Sequence, residues 1–239
     1  MNWAYGVTTV PARLYDLLPK TLDSLEAAGF GEPRIFLDGA SHYPDDCKDR
    51  YARYATTFRY PAVLTFGNWI LSLWELYLRN PRADRFAVFQ DDLAACRSLR
   101  SFLETEEWHP KTYLNLYTTP ENAEEIRGKV GWHPARLRGK GALALVFDRD
   151  ALWQVLGGSH IITRPLVSGR RVREFPLGCK GVDGAVVDSM HNVGWTEVIH
   201  WPSLVQHTGM ESVSANRFRP LSDSFPGEDF DAEAFRETR

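Results

Sequence analysis

The sequence predicts an α/β fold: a mostly parallel, twisted sheet with helices on both faces, in a single domain. Three observations predict it. Short apolar runs alternate with stretches of helical spacing through the first 95 residues. The runs at 35–37 and 86–89 have the length and composition of buried strands. Several runs exit into polar residues (Thr8-Thr9, Asp38, Asp91-Asp92). In open α/β sheets ligands bind beyond the carboxyl ends of the strands, so those residues are expected to share one rim.

The elements follow in order. Residues 3–9 read as the first strand. Residues 13–28 have helical spacing through Leu14, Leu17, Leu18, Leu22 and Leu25, with Pro19 restarting the helix in a new first turn and Gly29 and Gly31 ending it. Residues 34–37 form strand two, which leads into Asp38-Gly39. A polar, tyrosine-rich stretch occupies 42–60. Residues 68–78 form an amphipathic helix carrying Trp69, Leu73, Leu76 and Tyr77, closed by Asn80-Pro81. The strand at 86–89 comes next. In the second half, 113–116 and 142–147 read as strands and 148–156 as a helix ended by Gly157-Gly158. A helix at 181–190 and a short strand at 198–200 complete the pattern. Residues 1–219 are therefore expected to form the domain, with halves at 1–95 and 96–219. Residues 220–239 read as an acidic surface tail or flap.

Composition narrows the class. With 44% hydrophobic and 25% charged residues the chain is globular rather than disordered. No apolar stretch approaches the ~20 residues that cross a bilayer, and the opening residues read as a strand rather than a leader. Cys47, Cys96 and Cys179 are scattered and not in CxxC spacing, which favours a reducing, cytoplasmic setting over a disulfide framework or structural zinc. Net charge is −3, but it is unevenly spread. Residues 127–140 carry five bases and no acid, and 164–180 carry five bases against Glu174 alone. These segments read either as solvated basic loops or as two loops facing an anionic ligand.

Asp91-Asp92 is the most informative feature. Adjacent carboxylates at a core edge repel each other with little screening. A hard divalent cation between them, bringing phosphate oxygens with it, would relieve that repulsion. A solvated loop start or a helix cap is the plainer alternative. P-loop, GxGxxG, HExxH, GxSxG and EF-hand patterns are absent from the sequence. The histidines show no metal-cluster spacing.

The order of features resembles the GT-A class of nucleotide-sugar glycosyltransferases over about residues 3–213. The resemblance is carried by Gly6-Val7-Thr8-Thr9 with Arg13, Ala27-Ala28-Gly29-Phe30, Phe36-Leu37-Asp38, Gly67-Asn68-Trp69, the run 86–92, and Trp201-Pro202-Ser203-Leu204-Val205-Gln206-His207-Thr208-Gly209. The last segment looks like the PSLVQHxG stretch of several families in that class. The resemblance implies a GT-A-like, Rossmann-type sheet with a nucleotide-sugar half and an acceptor half. It also implies roles. Thr8, Thr9 and Arg13 would hold the base and ribose edge, Asp38 would accept from uracil or ribose, and Asn68 would support the donor pocket. Asp92, helped by Asp91, would match the metal-binding acid of a DxD-type motif, with His207 as a further metal or diphosphate ligand. Gln90 stands where that motif has its first acid. Asp183 would be the base of an inverting reaction.

Mn²⁺ or Mg²⁺ and a UDP-sugar are the implied cofactor and donor. Plainer readings remain open for several of these residues: a helix cap for Asp183, a core histidine for His207, a turn former for Asp38, a helix-surface charge for Arg13. The chain also weakly resembles the base-J and phage-type enzymes that glucosylate hydroxymethylated pyrimidines. DNA is therefore the first expected acceptor, held by the two basic segments with Trp132 stacking on it. A polysaccharide or lipid-linked glycan comes second. A sugar nucleotidyltransferase and a non-enzymatic glycan- or nucleic-acid-binding module are the rival classes.

Overall fold

The computed structural model describes residues 1–162, 181–208 and 221–238. In chain order they form β1 (Trp3–Thr9), α1 (Leu17–Ala27), β2 (Arg34–Asp38), β3 (Thr56–Arg59), α2 (Leu64–Arg79), β4 (Arg85–Gln90) and β5 (Leu93–Ala95). There follow α3 (Leu99–Thr105), β6 (Thr112–Asn115), α4 (Pro120–Ile126), β7 (Gly131–Pro134), β8 (Ala144–Asp148), α5 (Arg149–Gly157) and α6 (Ser159–Ile162). The last elements are α7 (Val182–His191), β9 (Thr196–Trp201) and β10 (Val205–His207).

Among the described residues, eight strands make one sheet in the order β3-β2-β1-β4-β8-β6-β9-β7. Six run in one direction, and β7 and β8 oppose them. The mostly parallel sheet with flanking helices is thus as the sequence predicts. Alternating side chains of each strand enter two different cores. Ile35, Leu37, Ala87, Phe89 and Val146 pack with α1 and α3 on one face. Phe36, Phe86, Val88, Leu145 and Phe147 pack with α2, α5 and α7 on the other. Burial on both faces explains why these strands are continuous apolar runs, each large side chain contributing about 1.5–3 kcal/mol.

The helix ends follow from local chemistry. Asp16 caps α1 by accepting from the Leu17 N–H at 2.6 Å. Gly29 ends it at φ +89°, where the Phe30 N–H reaches Leu25 and the Gly29 N–H reaches Glu26. That pair of bonds is a Schellman stop, and it needs a residue at ease with a left-handed backbone. Asp148 caps α5 through the Ala151 N–H at 2.7 Å.

Several elements differ from expectation. Residues 13–16 stay outside α1, so Arg13 stands on a 3-10 turn (Pro11–Arg13) just past β1. β3 lies inside the polar stretch at 42–60; its four residues are all half-buried on the sheet edge, so no apolar run marks it. α2 begins a turn before Asn68. β7 arises within the first basic segment, and β5 and β10 are too short to read from the sequence. The described part of the acidic tail is packed rather than free. Ala232 and Phe235 are buried, Phe235 against Phe102 and His200, and the Arg97 N–H and C=O bond Phe230 and Ala232. No helix among the described residues is long and apolar enough to cross a membrane.

Candidate active site at the carboxyl rim

The strand order reverses between β1 and β4: β2 and β3 lie beyond β1, and β8 and β6 lie beyond β4. Such a switch point opens a crevice at the carboxyl ends of the two strands. Thr9 and Arg13 leave β1 there, and Asp91 and Asp92 leave β4. They meet across the crevice. The Thr9 hydroxyl donates to Asp91 Oδ2 at 2.6 Å, and the Arg13 guanidinium binds Asp91 Oδ1 while standing 3.3 Å from Asp92 Oδ2. All four side chains are buried, Asp92 completely. Burial pushes the Asp91 carboxyl upward, and Arg13 and Thr9 pull it back down.

Two devices place Asp92 beside a histidine 115 positions later. α1 holds β5 through its buried hydroxyls: Thr21 bonds both the N–H and the C=O of Leu93 at 3.0 Å, and Ser24 accepts from the Ala95 N–H at 2.9 Å. β10 then pairs antiparallel with β5, His207 opposite Leu93, and the Thr208 N–H donates to the Asp92 carbonyl at 2.8 Å. The result sets His207 Nδ1 3.6 Å from Asp92 Oδ1. The Tyr117 ring lies edge-on to His207, with centroids 5.2 Å apart. Burial lowers the His207 pKa to about 4, with Arg13 adding to that effect and Asp183 opposing it, so the imidazole is neutral at physiological pH.

Asp183 lies in the first turn of α7, within electrostatic reach of His207. Its Oδ2 accepts from the Gly141 N–H at 2.8 Å, and the Ala142 N–H adds a second bond. Burial raises its pKa against those bonds. Gln90 faces the same loop, its Nε2 donating to the Ala142 carbonyl at 2.8 Å.

The donor set suits a divalent cation. Metal ligands must be unprotonated, which a neutral His207 satisfies. A separation of 3.6 Å between Nδ1 and Oδ1 is too long for a hydrogen bond; two cis ligands of an octahedral cation at about 2.0–2.2 Å lie about 3 Å apart, so the two groups would close by about half an ångström around one. Among the described residues no group of three or more His, Cys, Asp or Glu is arranged to hold a metal.

Other expected site residues are engaged elsewhere. Asp38 accepts from the Val63 N–H at 2.8 Å and from Leu64, tying β2 to the start of α2; burial raises its pKa. Asn68 accepts from Arg59 Nε at 2.8 Å and donates to the Phe36 carbonyl at 2.9 Å, so it binds α2 to the sheet. Thr8 donates to the Phe89 carbonyl at 3.3 Å. Trp132 is half-buried and engaged within the fold. Its Nε1 donates to Glu106 at 2.7 Å and its ring packs with Phe102 and His200. In the first basic segment, Arg127 pairs with Asp223 and Arg136 with Glu125. The segment 164–180 lies outside the described residues. The sequence reading missed Thr21 and Ser24, whose signal is two hydroxyls on the apolar face of a helix. It also missed Glu197, a charged residue inside a strand.

No protein-family model matches the chain, and no curated protein matches it either. Among solved structures, the A197 protein from STIV is similar at 13% identity and TM-score 0.47, covering 93% of this chain and 95% of that one. A mannosyltransferase from Pyrobaculum calidifontis, in complex with GDP-Man and Mn²⁺, gives 13% and 0.49, with 85% of this chain and 55% of that one covered. Mannose-1-phosphate geranyltransferase from Thermus thermophilus gives 13% and 0.41, covering 84% and 74%. Likeness at this level says nothing about what this chain binds or turns over.

Proposed function

We propose that this chain is a glycosyltransferase that takes its sugar from a nucleoside diphosphate donor, with a UDP-sugar as the first candidate. One observation carries the reading. The acids beyond β4, the Thr9 and Arg13 groups beyond β1, and His207 from β10 converge at the switch point of the sheet. A departing diphosphate needs positive charge and hydrogen-bond donors fixed where its charge develops. Asp92 and His207 would hold Mn²⁺ or Mg²⁺, which when bound stabilises that charge. Arg13 pairs with both Asp91 and Asp92 and fixes them in register. Asp183 would take the proton of the acceptor hydroxyl, and burial raises its pKa above the ordinary carboxylate value, which makes it a stronger base. As a base it would serve an inverting reaction at the anomeric carbon.

The acceptor is proposed only as an alcohol. The ion pairs of Arg127 and Arg136 leave less free charge for a nucleic-acid phosphate backbone than the sequence suggests. The test is a screen of UDP- and GDP-sugars for thermal stabilisation that requires Mn²⁺, followed by donor hydrolysis. A ligand at one hundred times its Kd adds about 2.7 kcal/mol. Asp92→Asn should remove both the stabilisation and the hydrolysis. Release of pyrophosphate from a nucleoside triphosphate and a sugar phosphate would instead make the chain a nucleotidyltransferase. Sugar binding indifferent to metal and to Asp92→Asn would make it a binding module.

A further inference from the structure

One loop is gripped by two carboxylates from different elements. Glu197, on β9, is 3% exposed and accepts three bonds: from the Tyr113 hydroxyl at 3.1 Å, Asn115 Nδ2 at 2.9 Å and the Gly139 N–H at 2.9 Å. Two residues along the loop, the Gly141 N–H donates to Asp183 at 2.8 Å. Asn115 adds a bond of 3.1 Å to the Lys140 carbonyl between them. Gly139 and Gly141 have φ of +66° and +80°, a left-handed backbone that glycine adopts without strain. A Cβ on Gly141 would stand 2.5 Å from the Tyr117 ring, and one on Gly139 would stand 3.2 Å from the Asp183 carbonyl. The loop is thus wedged among β6, β9 and α7, with a small cavity between the two acids bordered by Tyr113 and Asn115.

We propose that Glu197 is a positioning residue for Asp183: by fixing Gly139 it sets the 139–142 loop, whose Gly141 and Ala142 N–H groups hold the Asp183 carboxylate at the site. The inference rests on the reading of Asp183 as the base. Glu197 itself is buried, and three donors converge on its two oxygens. A glutamine has one acceptor oxygen and would set an NH₂ group against one of those donors. The loop would shift by a fraction of an ångström, and displacements of that size slow proton transfer more than they weaken binding.

The experiment compares wild type, Glu197→Gln, Asp183→Asn and the double variant in the full chain. The readouts are Mn²⁺-dependent stabilisation by the UDP-sugar found in the screen, its hydrolysis, and amide hydrogen exchange. Glu197→Gln should bind the donor as wild type does and hydrolyse it roughly ten-fold more slowly. Its amides at 139–142 should exchange faster, and adding it to Asp183→Asn should cost no further rate. Glu197→Asp, which keeps the charge but not the reach, should repeat the pattern and serves if the glutamine variant does not fold. Wild-type hydrolysis, unchanged exchange at 139–142, or an equal slowing on top of Asp183→Asn would each overturn the proposal. If Asp183→Asn itself hydrolyses donor as wild type does, the base reading falls and the positioning role falls with it.

Discussion

Asp91 and Asp92 share a guanidinium, whereas Asp183 and Glu197 share a loop. Both pairs are removed from water, and both need something to offset that loss. The first pair has a fixed positive charge, with Arg13 reaching both acids and Thr9 bonding one. The second is held by neutral dipoles: backbone N–H groups, an amide and a phenol. Burial raises the pKa of Asp183 and of Glu197, and the Asp183 charge adds to the burden on Glu197. The guanidinium pulls the Asp91 carboxyl back down against its burial and holds both acids in place. Dipoles oppose the same burial at Asp183 and Glu197 without a full charge. The two pairs thus meet the same loss of hydration with different partners, a full charge in one and dipoles in the other.

The contrast breaks most sharply at Arg13. Arg13→Met would leave two adjacent buried carboxylates without their counter-charge, and urea denaturation should show a loss of about 3–5 kcal/mol. A loss under about 1 kcal/mol would mean the guanidinium is not what holds the first pair.

Acidity separates the two regions next. His207 sits at about 4 in the folded chain against an ordinary 6.5, so the unfolded chain takes up a proton first as pH falls. Its contribution to stability is intact above 6.5 and is lost between 6.5 and about 4, by up to about 3 kcal/mol. Asp183 and Glu197, raised in the fold, act in the opposite sense and favour folding as pH falls through their range. Denaturation of His207→Gln across pH 4–7 should therefore show a smaller loss than wild type. An equal loss would remove His207 as its source.

The loop gives a smaller effect. Gly141→Ala should cost about 2–3 kcal/mol, from the contact with Tyr117 and the left-handed backbone together. Thermal denaturation would measure it, and a neutral variant would show that the loop is not wedged. Smallest is Asp148→Ala, which removes a carboxylate that caps a helix by accepting from the Ala151 N–H. Its expected cost of about 1 kcal/mol, again by denaturation, calibrates what a dipole-held acid is worth outside the site.

Much of this was legible in the chain itself. The strands at 86–89 and 35–37 announce themselves because two-sided burial makes them continuously apolar. Asp91 and Asp92 stand out because paired acids directly after such a run are costly. β3 stayed hidden because a half-buried edge strand needs no apolar pattern. The roles of Asp38 and Asn68 in tying α2 to the sheet were hidden because side-chain bonds to backbone leave no periodic mark.

The sequence by itself determined that strands would stack into a mostly parallel sheet and which acids would reach its carboxyl rim, since apolar periodicity and strand exits are local properties of the chain. Tertiary structure alone decided that Arg13 would close the Asp91–Asp92 pair, that β10 would deliver His207 to Asp92, and that Glu197 and Asp183 would grip the same loop. Those contacts join residues 42 to 115 positions apart, and only strand pairing and helix docking bring such groups within bonding distance.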